Sequence, residues 1–289
     1  MYKTLHTDLS DQILTVTINR PDKLNAINKD VMSELSEAVR EIYDNKEIRS
    51  AIITGAGAKA FVAGADISEF LGLTREQGQA LSAKGHDIYF RIASCPKPIA
   101  AAINGFALGG GLELAMACHF RLCTPNARFG QPEVNLGLIP GYGGTQRLVQ
   151  LVGKGRALEI MLSARMVDAT EAHVMGLVNY IVTEPNELLT KTRELLSVIN
   201  EKAPIAIARI IECANIASGD GAFFGSSDVW QADPFGGQSA GEMRTDDGAL
   251  VRNGFLREQE AFGECFGTQD LKEGAAAFLE KRKPVFSGK

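Results

Sequence analysis

Little in this sequence points to a metal, a disulfide framework or a membrane. Four histidines occur in 289 residues (His6, His86, His119 and His173), and no HxxxH or clustered Cys/His spacing joins them. That argues against a zinc site, and no metal is expected. Cys118-His119 with Cys123 comes nearest to one, and buried structural residues are the simpler reading. The five cysteines (Cys95, Cys118, Cys123, Cys213 and Cys265) are odd in number and show no CxxC spacing. Structural thiols in a reduced, cytoplasmic setting are therefore expected rather than paired ones. No apolar stretch approaches the ~20 residues of a membrane span. The opening MYKTLHTDLSDQ has no basic segment followed by an apolar run, so no signal peptide is read there. Lys and Arg number 30 against 35 Asp and Glu, a net charge of −5, which leaves no basic field for nucleic acid. No internal repeat is visible.

What is present is ordinary globular composition, 45% hydrophobic and 22% charged. The length suits one large core or one domain with an appended part. Ile13 to Ile18 alternates apolar residues with Thr and predicts a strand, ended by the turn Asn19-Arg20-Pro21-Asp22. Asn28 predicts the cap of a helix through about Asp44, with Val31, Leu35, Ala38, Val39 and Ile42 on one face. Ala51 to Thr54 predicts a short buried strand. Asp66 with Glu69 has capping-box spacing and predicts a helix starting just after Ala65. A second helix is predicted from about Arg75 to Ala93, and a buried strand from Ile99 to Ile103. After a helix over about 111–118 and a strand over 120–123, further helices are predicted from Thr145 and over 172–176, then a strand over 178–182. This alternation predicts an α/β fold with a largely buried sheet. From Glu187 the pattern turns helical. It weakens between about Gly219 and Gly254, which reads as a long loop, and returns over Leu256–Phe262 and Leu271–Lys283.

The chemistry concentrates between Ile103 and Gly144. Gly109 to Gly111 open an apolar run that contains one acid, Glu113, and a second acid, Glu133, follows in Gly130-Gln131-Pro132-Glu133. Paired carboxylates can hold one water, one accepting its proton while the other donates. Leu112, Leu114, Leu136 and Ile139 predict low polarity around them, which raises at least one pKa. The glycine-opened helix start and the Ala63-Gly64-Ala65-Asp66 loop suit an anion created by the chemistry. Plainer readings stand beside these. On these, Glu113 only favours its own helix N-terminus, Glu133 is a solvated turn residue, and the glycines only allow a close-packed turn.

The runs PDKLNAIN, FVAGADISEF, KPIAAAINGFALGGGLELA, FGQPEVNLGLIPGYGGTQRL and DLKEGAAAFLEKRKPVF, in this order and over nearly the whole chain, resemble the crotonase (enoyl-CoA hydratase/isomerase) superfamily, closest to short-chain enoyl-CoA hydratases. The resemblance implies a crotonase-like spiral of ββα units over about 1–200. It also implies a C-terminal helical trimerisation part over about 201–289, and a homo-oligomer that is a trimer or a hexamer. The implied reaction adds water across the double bond of a trans-2-enoyl-CoA, as in fatty-acid β-oxidation. No separate cofactor is implied, since coenzyme A is part of the substrate. The implied oxyanion donors are the N–H groups of Ala65 and Gly110. The implied roles have Glu133 supplying the α-proton and Glu113 activating water. Gln131 either positions Glu133 or serves the turn. Lys23, Leu24 and Ala26, together with Ala63, Gly64, Asp66 and Ile67, match the substrate and CoA path. Lys281 reaches the phosphates of CoA on a neighbouring subunit, or else lies on a solvated helix face.

The presence of Glu113 favours hydratase over isomerase. The alternatives are an enoyl-CoA isomerase, a hydratase of a branched or cyclic acyl-CoA, and a CoA- or RNA-binding protein without activity. The 219–254 segment departs from the family pattern as an insertion. Its Phe223, Phe224, Trp230 and Phe235 suit either a cover for the acyl pocket or a subunit interface, the interface being favoured. Apolar faces at Phe262, Phe266, Ala275, Phe278 and Leu279 are expected to seek cover from another subunit.

Overall fold

The computed structural model describes residues 2–218 and 246–287, with side chains of the second span from Gly254 onward. Ten strands and ten α-helices are found among them. The strands are β1 (Leu5–Ser10), β2 (Ile13–Ile18), β3 (Ser50–Gly55), β4 (Ala60–Val62), β5 (Ile99–Ile103), β6 (Phe106–Leu108), β7 (Phe120–Cys123), β8 (Arg128–Gly130), β9 (Val167–Asp168) and β10 (Tyr180–Ile181). The helices are α1 (Lys29–Asp44), α2 (Arg75–Ala93), α3 (Gly110–Ala117), α4 (Gly144–Val152), α5 (Lys154–Ser163), α6 (Ala169–Val174), α7 (Leu188–Asn200), α8 (Pro204–Ser218), α9 (Asp246–Cys265) and α10 (Gln269–Glu280).

Two sheets share the strands. The larger runs β1-β2-β3-β5-β7-β10, with only the β1–β2 hairpin antiparallel. The smaller runs β4-β6-β8-β9, parallel except for β8–β9. Each successive unit sends its first strand to the larger sheet and its second to the smaller before a helix follows: β3-β4-α2, β5-β6-α3, then β7-β8 and α4. This is a ββα spiral, and it repeats in topology although no sequence repeat marks it.

The inner strands β2, β3, β5 and β7 of the larger sheet are buried on both faces, while the edge strands β1 and β10 are largely open, and the inner strands' alternation sorts side chains into two cores. In β5, Ile99, Ala101 and Ile103 join the main core with Leu35, Val39 and Phe61, whereas Ala100 and Ala102 face Leu188 and Leu196 of α7. That is the arrangement expected of parallel strands covered on both sides. Helix α1 is capped as predicted, Asn28 accepting from the Val31 N–H, and Thr74 and Gln77 form a full capping box on α2.

Three expectations change. Asp66 and Glu69 form no capping box. Only a single 3-10 turn, Ile67–Glu69, follows Ala65, because Asp66 is taken by Ser68 and Arg20 and Glu69 accepts from the Lys29 N–H. The weak pattern over 219–254 is not loop to its end, since α9 already begins at Asp246; residues 219–245, with Phe223, Phe224, Trp230 and Phe235, lie outside the described residues. Finally, Phe262, Phe266 and Ala275 are covered by their own chain. The two phenylalanines pack with Phe70, Leu138 and Leu271, and Ala275 is 2% exposed, so α9 folds back along α2 and α10 against residues 133–136. Phe278 and Leu279 do remain open, 59% and 48% exposed.

Candidate active site

Helix α3 is apolar around its whole circumference and every residue in it is buried, Glu113 among them at 1% exposure. A carboxylate there must find donors. It finds them outside its own helix. Tyr142 N–H donates to Oε1 at 2.8 Å and Gly144 N–H to the same oxygen at 2.7 Å. Gly144 is the first residue of α4, so Glu113 sits on the positive end of a second helix. A Cβ at Gly144 would stand 2.8 Å from Glu113 Oε1 and 2.7 Å from Pro140 Cβ, so only glycine lets the helix end approach so closely.

Glu133 opens a 3-10 turn, Glu133–Leu136, just beyond β8. It is half-buried rather than solvated. The buried Gln131 amide, with its nitrogen turned toward the acid, donates to Glu133 Oε1 at 3.0 Å and Oε2 at 3.2 Å. Of the two roles open to Gln131, this contact favours holding Glu133. The fold thus closes the 20-residue gap between the acids. The proximity also shows in their ionisation: burial pushes Glu113 well above the usual carboxylate range, with the charges of Glu133 and a third acid, Glu258, adding to it. Burial likewise pushes Glu133 up to about 8, Glu258 again contributing.

The anion-facing elements meet at the same point. Gly109 has φ +50°, and a Cβ on it would stand 2.7 Å from Glu133 Oε1 and 3.8 Å from Gly64 Cα. The 63–66 loop, the start of α3 and the Glu133 carboxyl therefore converge. Gly110 is the first residue of α3, and Tyr89 Oη fixes its peptide by donating to its carbonyl at 2.9 Å. Neither Ala65 N–H nor Gly110 N–H is taken by a backbone acceptor among the described residues. The helix-dipole argument holds for Gly110 and not for Ala65, whose turn is too short. Ala65 is instead positioned by a strap: Ile27 N–H donates to Gly64 O at 2.8 Å and Asp66 N–H to Ile27 O at 2.7 Å, a parallel bridge.

The strap carries Lys23, Leu24 and Ala26 along Ala63, whose N–H donates to Leu24 O at 3.1 Å. Arg20 ties it down, pairing with Asp66 at 3.1 Å and donating to Ala26 O. Beside it a cleft of about 320 Å³ is lined by Pro21, Leu24, Ala56 and Lys59 among others. Ile67 borders the apolar cluster of Phe70, Leu138 and Phe262. Lys281 is the exposed, left-handed cap at the end of α10, away from this strap in sequence and not joined to it by any contact described. The Cys118-His119-Cys123 group is structural. His119 Nδ1 accepts from Ile99 N–H at 2.9 Å, Nε2 faces Ala93 O, and burial holds the ring down to about 4. Among the described residues no group of three His, Cys, Asp or Glu could hold a metal ion.

Sequence reasoning missed His86 and Glu258, which lie beside the pair. Glu258 stands on the Phe255–Phe262 stripe of α9, three residues from one and four from the other. An acid on an apolar stripe was the available signal.

A family model described as enoyl-CoA hydratase/isomerase matches residues 8–219. The short-chain-enoyl-CoA hydratase of Clostridium acetobutylicum is 42% identical over 272 residues, 94% of this chain and 93% of that one. The crotonyl-CoA hydratase of Syntrophomonas wolfei is 40% identical over 288 residues, 100% of this chain and 99% of its own. Among solved structures, an enoyl-CoA hydratase from Mycobacterium avium subsp. paratuberculosis superposes with TM-score 0.80 at 25% identity, covering 99% of this chain and 100% of that chain.

Proposed function

The chain belongs to the enoyl-CoA hydratase/isomerase family, and from that premise we propose the chemistry of its site. It is an enoyl-CoA hydratase, a hydro-lyase that adds water across the double bond of a trans-2-enoyl-CoA to give a 3-hydroxyacyl-CoA. The carrying observation is two carboxyls, Glu113 buried on backbone N–H donors and Glu133 half-buried against Gly109, converging with two N–H groups that no backbone acceptor takes among the described residues. The thioester oxygen lies between the Ala65 and Gly110 N–H groups. A water lies between the acids. Glu113, whose ionised form the Tyr142 and Gly144 N–H donors favour against its burial, takes a proton from that water as its oxygen bonds to the β-carbon. The π electrons move toward the thioester, and the enolate oxygen is held by the two N–H groups. Glu133, protonated, gives its proton to the α-carbon. One proton is gained and one lost by the pair, so its total is conserved. No metal or separate cofactor enters this scheme, coenzyme A being carried by the substrate. The strap residues Lys23, Leu24 and Ala26, with Ala63, Gly64, Asp66 and Ile67, line its path. Lys59 joins them from the neighbouring cleft. Lys281 serves CoA on an adjoining subunit.

The test is a hydration profile over crotonyl-CoA and longer 2-enoyl-CoAs, read as loss of the enoyl thioester absorbance with 3-hydroxyacyl-CoA as product. Migration of the double bond without hydration would overturn the reading.

The shared proton sets the pH dependence. The active form needs one proton on the pair, so raising the pH through the elevated carboxyl must remove activity. We expect kcat/KM for crotonyl-CoA to fall above about pH 8, following the raised Glu133 carboxyl. A profile flat to pH 10 would show that no such proton is used.

Residues 1–200 form the spiral with the site, and 201–289 the assembly part of a trimer or hexamer. Ile205, Ile210 and Ile216 on α8, with Phe278 and Val285, are exposed at 57%, 68%, 65%, 59% and 78%. That much open apolar surface calls for a partner. Light scattering at micromolar concentration is expected to give three or six chains, and a monomer would refute the assembly. The five free cysteines, three of them buried, fit a reducing cytoplasmic setting, and the reaction fits a step of fatty-acid β-oxidation.

A further inference from the structure

The turn that clamps Glu113 is itself clamped. Glu258, on α9 and 3% exposed, accepts from Gly143 N–H at 2.5 Å through Oε1. Its Oε2 accepts from Thr145 N–H at 2.8 Å and from Thr145 Oγ. These N–H groups alternate along the chain with those of Tyr142 and Gly144, which hold Glu113. Four consecutive donors at the start of α4 are thus divided between two buried acids, one on each side. Behind Glu258 stands His86 of α2, fully buried, its Nε2 3.1 Å from Glu258 Oε1. Neither His86 Nδ1 nor His86 Nε2 makes a hydrogen bond of good geometry among the described residues, so the approach to Glu258 is a close polar contact. A carboxylate oxygen 3.1 Å away favours the tautomer with its proton on Nε2, since a bare ring lone pair there would face a second lone pair. Phe90 and Phe255 enclose the ring at centroid distances of 5.8 and 5.7 Å.

We propose that Glu258, backed by His86, is a positioning residue for the catalytic pair: it fixes the 142–145 turn that orients Glu113 and lends its charge to the field in which both acids hold their proton. The inference rests on the hydratase reading above. Substrate does not need to touch Glu258 for this. The geometry fixes the turn by two N–H bonds on one side while Glu113 takes two on the other. The charge acts at short range through a protein interior with little water to screen it. The groups that face this cluster are His86 and Tyr89 from α2, Glu113 from α3, Glu133 from the 3-10 turn, Tyr142 from the turn before α4, and Arg147 from α4. Arg147 is buried over the Phe90 and Phe255 rings, 4.8 and 5.3 Å from their centroids, and donates to Tyr142 O. It supplies the fixed positive charge of the cluster.

Two variants separate a positioning role from a merely structural one, because they move the field in opposite directions. Glu258→Gln removes a negative charge beside the pair, so the pair releases its shared proton more readily. The alkaline limb of kcat/KM should move down by on the order of one pH unit, and kcat at pH 7 should fall on the order of 10-fold with KM changed less than about 3-fold. His86→Leu leaves every bond from Glu258 to the turn in place but removes the proton facing Oε1. The limb should then move up, by on the order of half a unit. Wild-type and variant profiles are measured with crotonyl-CoA. Opposite shifts support the inference. Shifts of the same sign, or none in either variant, overturn it. Should Glu258→Gln fail to fold, the His86→Leu profile decides alone: an upward limb supports the inference, and an unchanged or lowered one overturns it. A wild type that does not hydrate crotonyl-CoA sinks the hydratase reading itself, a different outcome from a working enzyme whose limb stays fixed.

Discussion

Glu133→Gln should lower kcat by about 10²–10⁴ while leaving KM for an enoyl-CoA within a few-fold of wild type. The amide has the shape of the carboxyl and lies against the same neighbours: the Gln131 amide, the backbone of Gly109 and the 3-10 turn it opens. It has no proton to give to an α-carbon. A loss confined to kcat is what removal of a group acting only in the transition state looks like. A variant keeping more than about a tenth of wild-type kcat would remove Glu133 from the proton transfer. The same substitution carries a stability consequence of definite sign. Burial raises the folded-state carboxyl from 4.5 to about 8, so the fold favours the neutral form, and stability from that source is lost as the pH rises through the folded value. Gln cannot ionise. The variant should therefore gain in Tm over wild type as the pH rises from about 5 to about 8 and keep that gain above it, with the smallest difference below pH 5.

This pairing of function with buried cost was legible in part from the sequence. An acid inside GGGLELAMA stands out because nothing around it is polar, and the GQPE turn stands out for its glycine and proline. What a linear reading could not give is which donors answer the burial. The N–H groups that hold Glu113 belong to Tyr142 and Gly144, 29 and 31 residues away, and a backbone donor has no residue type by which to be recognised. The long elements were legible for a related reason. Strand β2 and helix α2 coincide with their predicted bounds because six and nineteen residues are enough for a period to show. Strands β4, β6 and β8 have three residues each, too few for alternation, so periodicity did not show the smaller sheet and the ββα spiral was legible only through the family resemblance. The capping-box expectation at Asp66 failed for want of a long-range fact, the arrival of Arg20 and Lys29 from the strap to take both acids. The Phe262 and Phe266 expectation failed likewise, since a helix after a long interruption could not be seen to return to its own chain.

Glu113→Gln should cost a comparable ~10²–10⁴ in kcat, and the double variant Glu113→Gln/Glu133→Gln should lose far less than the product of the two single losses. The argument is about a shared water. Glu113 Oε1 is committed to Tyr142 N–H and Gly144 N–H, so its other oxygen is the one that meets the reactants. Gln keeps a carbonyl oxygen for the two N–H donors and turns its NH₂ toward the water, where a base is needed. Hydration then lacks an acceptor for the water's proton, and a donor at Glu133 has little left to assist. Once either acid is gone the remaining rate comes from the N–H pair and from binding, and removing the second acid takes away little more. Independent acids acting on separate groups would behave otherwise, with losses that add in log kcat. Steady-state rates for the two single variants and the double, on crotonyl-CoA at pH 7, decide between these. A double variant at about the product of the single losses would mean that Glu113 and Glu133 do not act on one water, whereas a double variant within about ten-fold of the worse single one is the result expected of a pair that works as a unit.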